Sequence, residues 1–177
     1  MPHVVLTGTE STYKTRLCLA LSEKFDVPMV QEYARQYMSD KALNAQDLNE
    51  TFFNAIATGQ IEQQRSNGYF DADAEPILFD TDGLTLAVWA SDKFQRSTSE
   101  FTAIPSHLHY LVCAPTTEAY QDPMRSDLHR RVELHQHYLA MLNVLGASYT
   151  ILHEVKFNDR LQEAVDALKA HGFKPRD

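Results

Sequence analysis

One octapeptide constrains this chain more than any other feature: Gly8-Thr9-Glu10-Ser11-Thr12-Tyr13-Lys14-Thr15. It follows the apolar run His3-Val4-Val5-Leu6 and opens an amphipathic segment carrying Leu17, Leu19, Leu21 and Phe25. Strand, tight loop ending in Lys-Thr, then helix is the context of a phosphate-binding loop. Such a loop turns successive backbone N–H groups inward, so that they and the helix N-terminus meet a polyphosphate. Lys14 is placed to reach the outer phosphates and the Thr15 hydroxyl to ligate Mg²⁺. The usual pattern is G-x-x-x-x-G-K-[ST], and Tyr13 stands where its second glycine belongs. The alternative is an ordinary β–turn–α connection with Lys-Thr at the helix start.

Composition narrows the class. The chain has 177 residues and 44% hydrophobic content, enough to bury one substantial core, and it reads as a single domain over residues 1–177. Cys18 and Cys113 both fall in apolar periodic segments and read as small buried hydrophobes of a reducing compartment. No basic region precedes a long apolar core at the N-terminus, and no apolar run approaches membrane-spanning length, so the expected location is the cytoplasm. The net charge of −8, without a clustered basic stripe, argues against a nucleic-acid partner. Homo-oligomerisation is left open.

Strand and helix patterns alternate, which predicts a parallel sheet with helices on both faces. The expected strands are residues 3–7, 27–31, 76–80, 108–113 and 149–153. The expected helices begin at Lys14 and about Tyr33, run from Asp47 to about Arg65, follow Asp82, and span about 127–145 and 159–171. Asp159 with Gln162 resembles a capping box, and Gly172 a matching stop. Residues 114–125, with Pro115 and Asp122-Pro123, read as a loop.

In open parallel sheets, ligands bind at the carboxyl ends of the strands. Charged clusters fall at four expected strand ends. After the first comes the phosphate loop, and Arg16 adds a cation to its Lys14. After the second comes Gln31-Glu32-Tyr33-Ala34-Arg35: Glu32 would act as general base or orienting group for an acceptor hydroxyl, and Arg35 would meet the acceptor or shield phosphate charge. The alternative there is a surface i,i+3 ion pair. Asp80 ends the apolar run Pro76-Ile77-Leu78-Phe79 in the form of a Walker-B aspartate holding Mg²⁺ with Thr15. Asp82 either shares that direction or caps the next helix. Arg125, Arg130 and Arg131 flank the loop after the fourth strand, as lid arginines over developing charge or as a basic turn balanced by Asp122, Asp127 and Glu133. His135 falls on the stripe Leu128, Val132, Leu139, Leu142 and reads as a boundary histidine, not a zinc ligand. Phe52, Phe53, Tyr69, Phe70 and Trp89 line either core or acceptor pocket.

The loop Gly8 to Thr15, the segment Gln31-Glu32-Tyr33-Ala34-Arg35-Gln36-Tyr37, the strand end Phe79-Asp80-Thr81-Asp82 and Asp122-Pro123-Met124-Arg125 together resemble one family. It is the ribosylnicotinamide kinase domain of NadR-type NAD regulators and its stand-alone relatives. The resemblance runs from about residue 3 to 170. It implies a P-loop kinase-like three-layer α/β sandwich, with a five-stranded parallel sheet and a lid over about 114–131. It further implies ATP with Mg²⁺ and phosphoryl transfer to a small nucleoside, nicotinamide riboside first. By this resemblance residues Gly8 to Arg16 bind ATP, and Glu32, Tyr33, Arg35 and Asp82 face the nucleoside. Lys14, Glu32, Arg125 and Arg130 serve the transfer, and Thr15 and Asp80 hold the metal. The adenylyltransferase and DNA-binding modules of the full regulators are not represented.

Tyr13 departs from that pattern. A residue with a Cβ there costs about 1–2 kcal/mol if φ is positive. The ring would crowd the phosphate channel or swing outward onto a lid residue. A nucleotide-binding regulatory or scaffold module with weak transfer is the alternative that this departure raises. If strain or crowding dominates, Tyr13→Gly should tighten ATP binding and raise turnover; if the ring is recruited to stack on the nucleotide or the lid, the same change should weaken binding.

Overall fold

The computed structural model describes residues 1–116 and 128–176. Their elements alternate as expected: β1 (His3–Gly8), α1 (Lys14–Phe25), β2 (Met29–Val30), α2 (Tyr33–Asp40), α3 (Glu50–Ser66), β3 (Leu78–Asp80), α4 (Gly83–Phe94), β4 (Leu108–Cys113), α5 (Arg131–Leu145), β5 (Ser148–Leu152) and α6 (Phe157–Ala170). Single 3₁₀ turns precede α3 and α5. All five strands are parallel, in the order β2-β3-β1-β4-β5.

Successive strand residues point to opposite faces, and each face has its own helical cover. Val4, Leu6, Leu111 and Cys113 pack with Leu17 and Leu21 of α1 and Ala164, Val165 and Leu168 of α6. Val5, Phe79, Tyr110 and Val112 pack with Leu84 and Val88 of α4 and Leu134, Tyr138 and Leu142 of α5. A third cluster, around Met38, Phe53, Ile56, Leu86 and Ala90, fastens α2 and α3 onto α4. The fold is a three-layer sandwich. The near-continuous apolar strands β1 and β4 are buried throughout, as doubly covered parallel strands require.

Register brings the strand ends level. Gly8 lies opposite Cys113, and Leu6 opposite Asp80. The phosphate loop and the end of β3 therefore emerge side by side at the carboxyl edge. Two details differ from the sequence expectation. α6 begins at Phe157 with Lys156 as N-cap, so Asp159 sits inside the first turn; the Glu163 carboxylate instead accepts the His153 and Glu154 amides just ahead of the helix. The buried face of α5 runs through Arg131, Leu134, His135, Tyr138 and Leu142, leaving Val132 69% exposed. The expected stripe shares His135 and Leu142 with that face, but its N-terminal part lies about one residue out of phase, with Arg131 buried where Val132 was expected. The expected loop at 114–125 and the Asp127 helix start fall largely outside the described residues.

Candidate functional site

Gly8 must be glycine. Its φ is +124°, and a Cβ would stand 2.7 Å from the Cys113 carbonyl oxygen of the adjacent strand. The loop beyond it uses two further left-handed residues, Ser11 at φ 55° and Tyr13 at φ 68°. Tyr13 is also the N-cap of α1. No side chain caps this helix start and no acidic residue lies in its first turn, so the end presents N–H groups and positive dipole to an incoming anion. Lys14 folds back, its Nζ donating to the Thr9 carbonyl at 2.7 Å, where the Thr12 hydroxyl also donates.

Tyr13 adopts the strained conformation that the sequence made a concern, but its ring leaves the phosphate channel. It packs edge-on against Phe157 at the start of α6, with 5.7 Å between centroids, and joins the hydrophobic core beneath the loop. Arg16 covers the same Phe157 ring at 3.7 Å. The ring swings outward as one of the expected alternatives had it, and among the described residues its ring partner is Phe157 of α6.

The two aspartates after β3 have opposite surroundings. Asp80 is buried, and neither carboxylate oxygen has a hydrogen-bond partner of good geometry. Burial pushes its pKa above the ordinary carboxylate value, while the nearby Thr15 hydroxyl, Lys14 and Arg35 pull it down. A buried carboxylate with orphaned oxygens beside a threonine hydroxyl is a hard-cation donor set, so the residues present fit Mg²⁺. Asp82 is fully satisfied instead. It accepts from Tyr69 Oη at 2.7 Å, from Tyr110 Oη and from the Leu84 amide at 3.0 Å, and it N-caps α4. Burial raises its pKa, and these three donors oppose the rise. Its carboxylate is committed to the protein and does not line the cleft, which corrects the expectation that it faces an acceptor. Thr81, between them at φ 71°, turns the chain so that the two side chains diverge.

A cleft with about 470 Å³ of free space, part of it open to solvent, lies over the loop. It is lined by Gly8, Thr9, Glu10 and Lys14 of the phosphate loop together with Glu32, Thr81, Thr85, Trp89, Asp92 and Tyr138. Glu32 thus shares a cavity with the phosphate loop, while Arg35 lies 3.9 Å from it as an i,i+3 pair. Tyr33 does not line the cleft: its ring packs where Gly59 of α3 leaves room, since a Cβ there would come within 2.0 Å of the ring. Arg130 is held at the far rim by both oxygens of Asp92, at 2.7 and 2.9 Å, and by Glu133. Arg125 lies outside the described residues. Sequence reading named Trp89 but missed Thr85 and Asp92, although the i, i+4, i+7 spacing of the three marks one face of α4. It also missed the tyrosine pair on Asp82, whose members are far apart in sequence. Trp89 lines the cleft, Phe53 and Tyr69 are buried, and Phe70 is exposed.

A parallel α/β sandwich with a phosphate loop after its first strand defines a P-loop kinase-like fold. A family model described as an AAA domain (AAA_28) matches residues 3–160, and the chain belongs to that family. Among solved structures, the chain is similar to a NadR protein in complex with NR, with TM-score 0.77 at 23% identity over 99% of this chain and 53% of the other. A NadR protein in complex with NAD and AMP-PNP gives TM-score 0.72 at 21% identity, over 99% and 51%. A deoxyadenosine kinase from M. mycoides with products dCMP and dCDP gives 0.69 at 13% identity, over 95% and 99%. The chain spans about half the length of those NadR chains. No curated protein matches the sequence.

Two predictions follow from this geometry. Removing the Tyr13 ring loses its edge contact and burial, worth about 2–3 kcal/mol, against about 1 kcal/mol of relieved backbone strain. Tyr13→Gly is therefore expected to lower the urea midpoint, and Phe157→Ala should cost markedly less in that background than in the wild type; additive losses would contradict the contact. For Asp80 the sign is the reverse of a paired carboxylate. A folded-state pKa above the unfolded one destabilises the protein as pH rises past the unfolded value, and the penalty is fully present above the folded one. Asp80→Asn is expected to raise the metal-free melting temperature at pH 7 and to remove any further rise on adding MgCl₂, as read by calorimetry.

Proposed function

We propose that this protein is an ATP-dependent kinase that transfers a phosphoryl group to the hydroxyl of a small nucleoside, with nicotinamide riboside the leading acceptor. The observation that carries the reading is that Lys14 of the phosphate loop and the Glu32 carboxylate line one cleft. A kinase must bring donor phosphate and acceptor hydroxyl into one water-poor space, whereas a nucleotide sensor has no need of the second half. The outward Tyr13 ring supports the kinase over the weak-transfer module, because it packs on Phe157 and not among the residues that line the cleft. The NadR structure with NR supports the acceptor, as do Trp89 and Glu32, an aromatic face and a carboxylate suited to a cationic ribosylated ring. The reading takes residues 1–177 as one catalytic unit acting in the cytoplasm. Among the described residues no helix is long and apolar enough to cross a membrane.

The inward amides of residues 9–15 and the α1 N-terminus bind the phosphates. Lys14 leaves the Thr9 carbonyl to neutralise charge developing on the transferred group. Thr15 and Asp80 would hold Mg²⁺, which supplies Lewis-acid neutralisation of phosphate charge. Glu32 orients the acceptor hydroxyl and takes its proton as the new O–P bond forms and the bond from the γ-phosphorus to the bridging oxygen breaks, releasing ADP. Arg130, exchanging Asp92 and Glu133 for phosphate oxygens, would bring positive charge to the transferred group, and Arg125 is assigned the same role by the family resemblance alone. Lys14→Ala is expected to keep the fold and lose about 3–4 kcal/mol of transition-state stabilisation, a few hundredfold in rate. A screen of ribonucleosides and deoxyribonucleosides with ATP–Mg²⁺, read by product mass, tests the whole proposal. Phosphorylated nicotinamide riboside, absent with Lys14→Ala, is the expected result; ATP bound but no nucleoside phosphorylated would establish the binding module instead.

A further inference from the structure

Arg160 is the largest fully buried side chain of the protein, and its position is twice unfavourable. It lies in the first turn of α6, where the helix dipole opposes a cation, and its partners are backbone carbonyls instead of a carboxylate. Its Nε donates to the Glu154 carbonyl at 2.5 Å and its Nη1 to the Thr12 carbonyl at 3.1 Å, 148 residues away in the chain. Nη2 is buried without a partner. The chain leading into that carbonyl is held as well, because Glu163 accepts the amides of His153 and Glu154, in the two preceding peptides, at 3.0 Å each. Glu163, the 153–154 peptides, Arg160 and Thr12 thus form one continuous brace from α6 to the underside of the phosphate loop.

The significance lies in the planarity of the peptide bond. The Thr12 carbonyl and the Tyr13 N–H belong to one trans peptide and point in opposite directions. A donor that holds the carbonyl down turns the N–H up, toward the concave side where phosphate binds. We propose that Arg160 is a positioning residue for phosphate binding, setting the Thr12–Tyr13 peptide so that the Tyr13 N–H faces the ligand. The neighbouring peptide is held in the same manner from another helix. The Thr116 hydroxyl donates to the Ser11 carbonyl at 3.2 Å, and Arg131 of α5 holds Thr116 through its hydroxyl at 3.3 Å and its carbonyl at 2.7 Å. A loop with tyrosine in place of the second glycine cannot reorient that peptide as freely, so the fold fixes it in one setting.

The inference concerns the phosphate loop of the proposed kinase and is tested separately from it, by calorimetric titration of ATP–Mg²⁺ and of inorganic pyrophosphate into wild type, Arg160→Met and Arg160→Lys. Arg160→Met is expected to weaken both ligands roughly tenfold to hundredfold, the range of one charge-assisted hydrogen bond, while retaining a cooperative melting transition. Arg160→Lys, which keeps one donor, should recover part of that loss; a merely structural role would shift the melting temperature in both variants and leave affinity unchanged. A folded Arg160→Met that binds pyrophosphate within twofold of wild type overturns the inference. If Arg160→Met does not fold, Arg160→Lys decides: several-fold weaker pyrophosphate binding upholds the role, and wild-type affinity overturns it. Wild type that binds pyrophosphate but not ATP defeats the kinase reading and leaves Arg160 to be judged on pyrophosphate alone. Wild type that binds neither overturns both.

Discussion

A loop that aims its amides at a ligand must aim its carbonyls at the protein, and each buried carbonyl needs a donor. The structure meets this demand from several elements. The Thr9 carbonyl takes Thr12 and Lys14, the Ser11 carbonyl takes Thr116, the Thr12 carbonyl takes Arg160, and the Tyr13 carbonyl takes the Leu17 amide of α1. These donors come from the loop, the end of β4 and helices α1 and α6. The order of strands places β1 between β3 and β4, which brings the loop within reach of the residues that follow both.

Electrostatics at the end of β3 divide between structure and chemistry over three residues. Asp82 gathers two phenols and an amide, and both tyrosines are pushed well above their ordinary pKa by burial, so they remain donors. Asp80 gathers no comparable shell and keeps its oxygens available. The same residue type is inert at one position and poised at the other. The left-handed Thr81 between them is where the backbone carries the strain of that separation, together with Ser11 and Tyr13 across the cleft.

Much of the architecture was legible because it rests on local pattern. Apolar strands bounded by polar residues and the loop motif located β1, α1, β3 and β4, and each strand end fell where charged residues clustered. What was not legible rests on contacts distant in sequence or on phase. Arg160 sits in a polar-looking helix start, and only the three-dimensional approach of α6 to the loop reveals its partner. Asp82 looked like a second site carboxylate because Tyr69 and Tyr110 cannot be associated with it by spacing. On α5 the expected stripe held at His135 and Leu142 but not at Val132, because the first turn of the buried face is taken by Arg131, a charged residue that a hydrophobic pattern passes over. Tyr13 was recognised as strained, but that its ring finds Phe157 depends on where α6 docks.

The folded-back Lys14 has a consequence for selectivity among anions. With its ammonium seated on the Thr9 carbonyl, Lys14 has a partner within the loop, while the amides at the uncapped start of α1 do not. An anion gains entry only by offering Lys14 and the amides more than that carbonyl does. Chloride, with one diffuse charge and no array of oxygens, makes a poor exchange. A polyphosphate brings several charges and oxygens spaced to meet successive amides at once. The lysine's hydrogen bond to its own loop thus weights the site toward anions of high charge density with several oxygens.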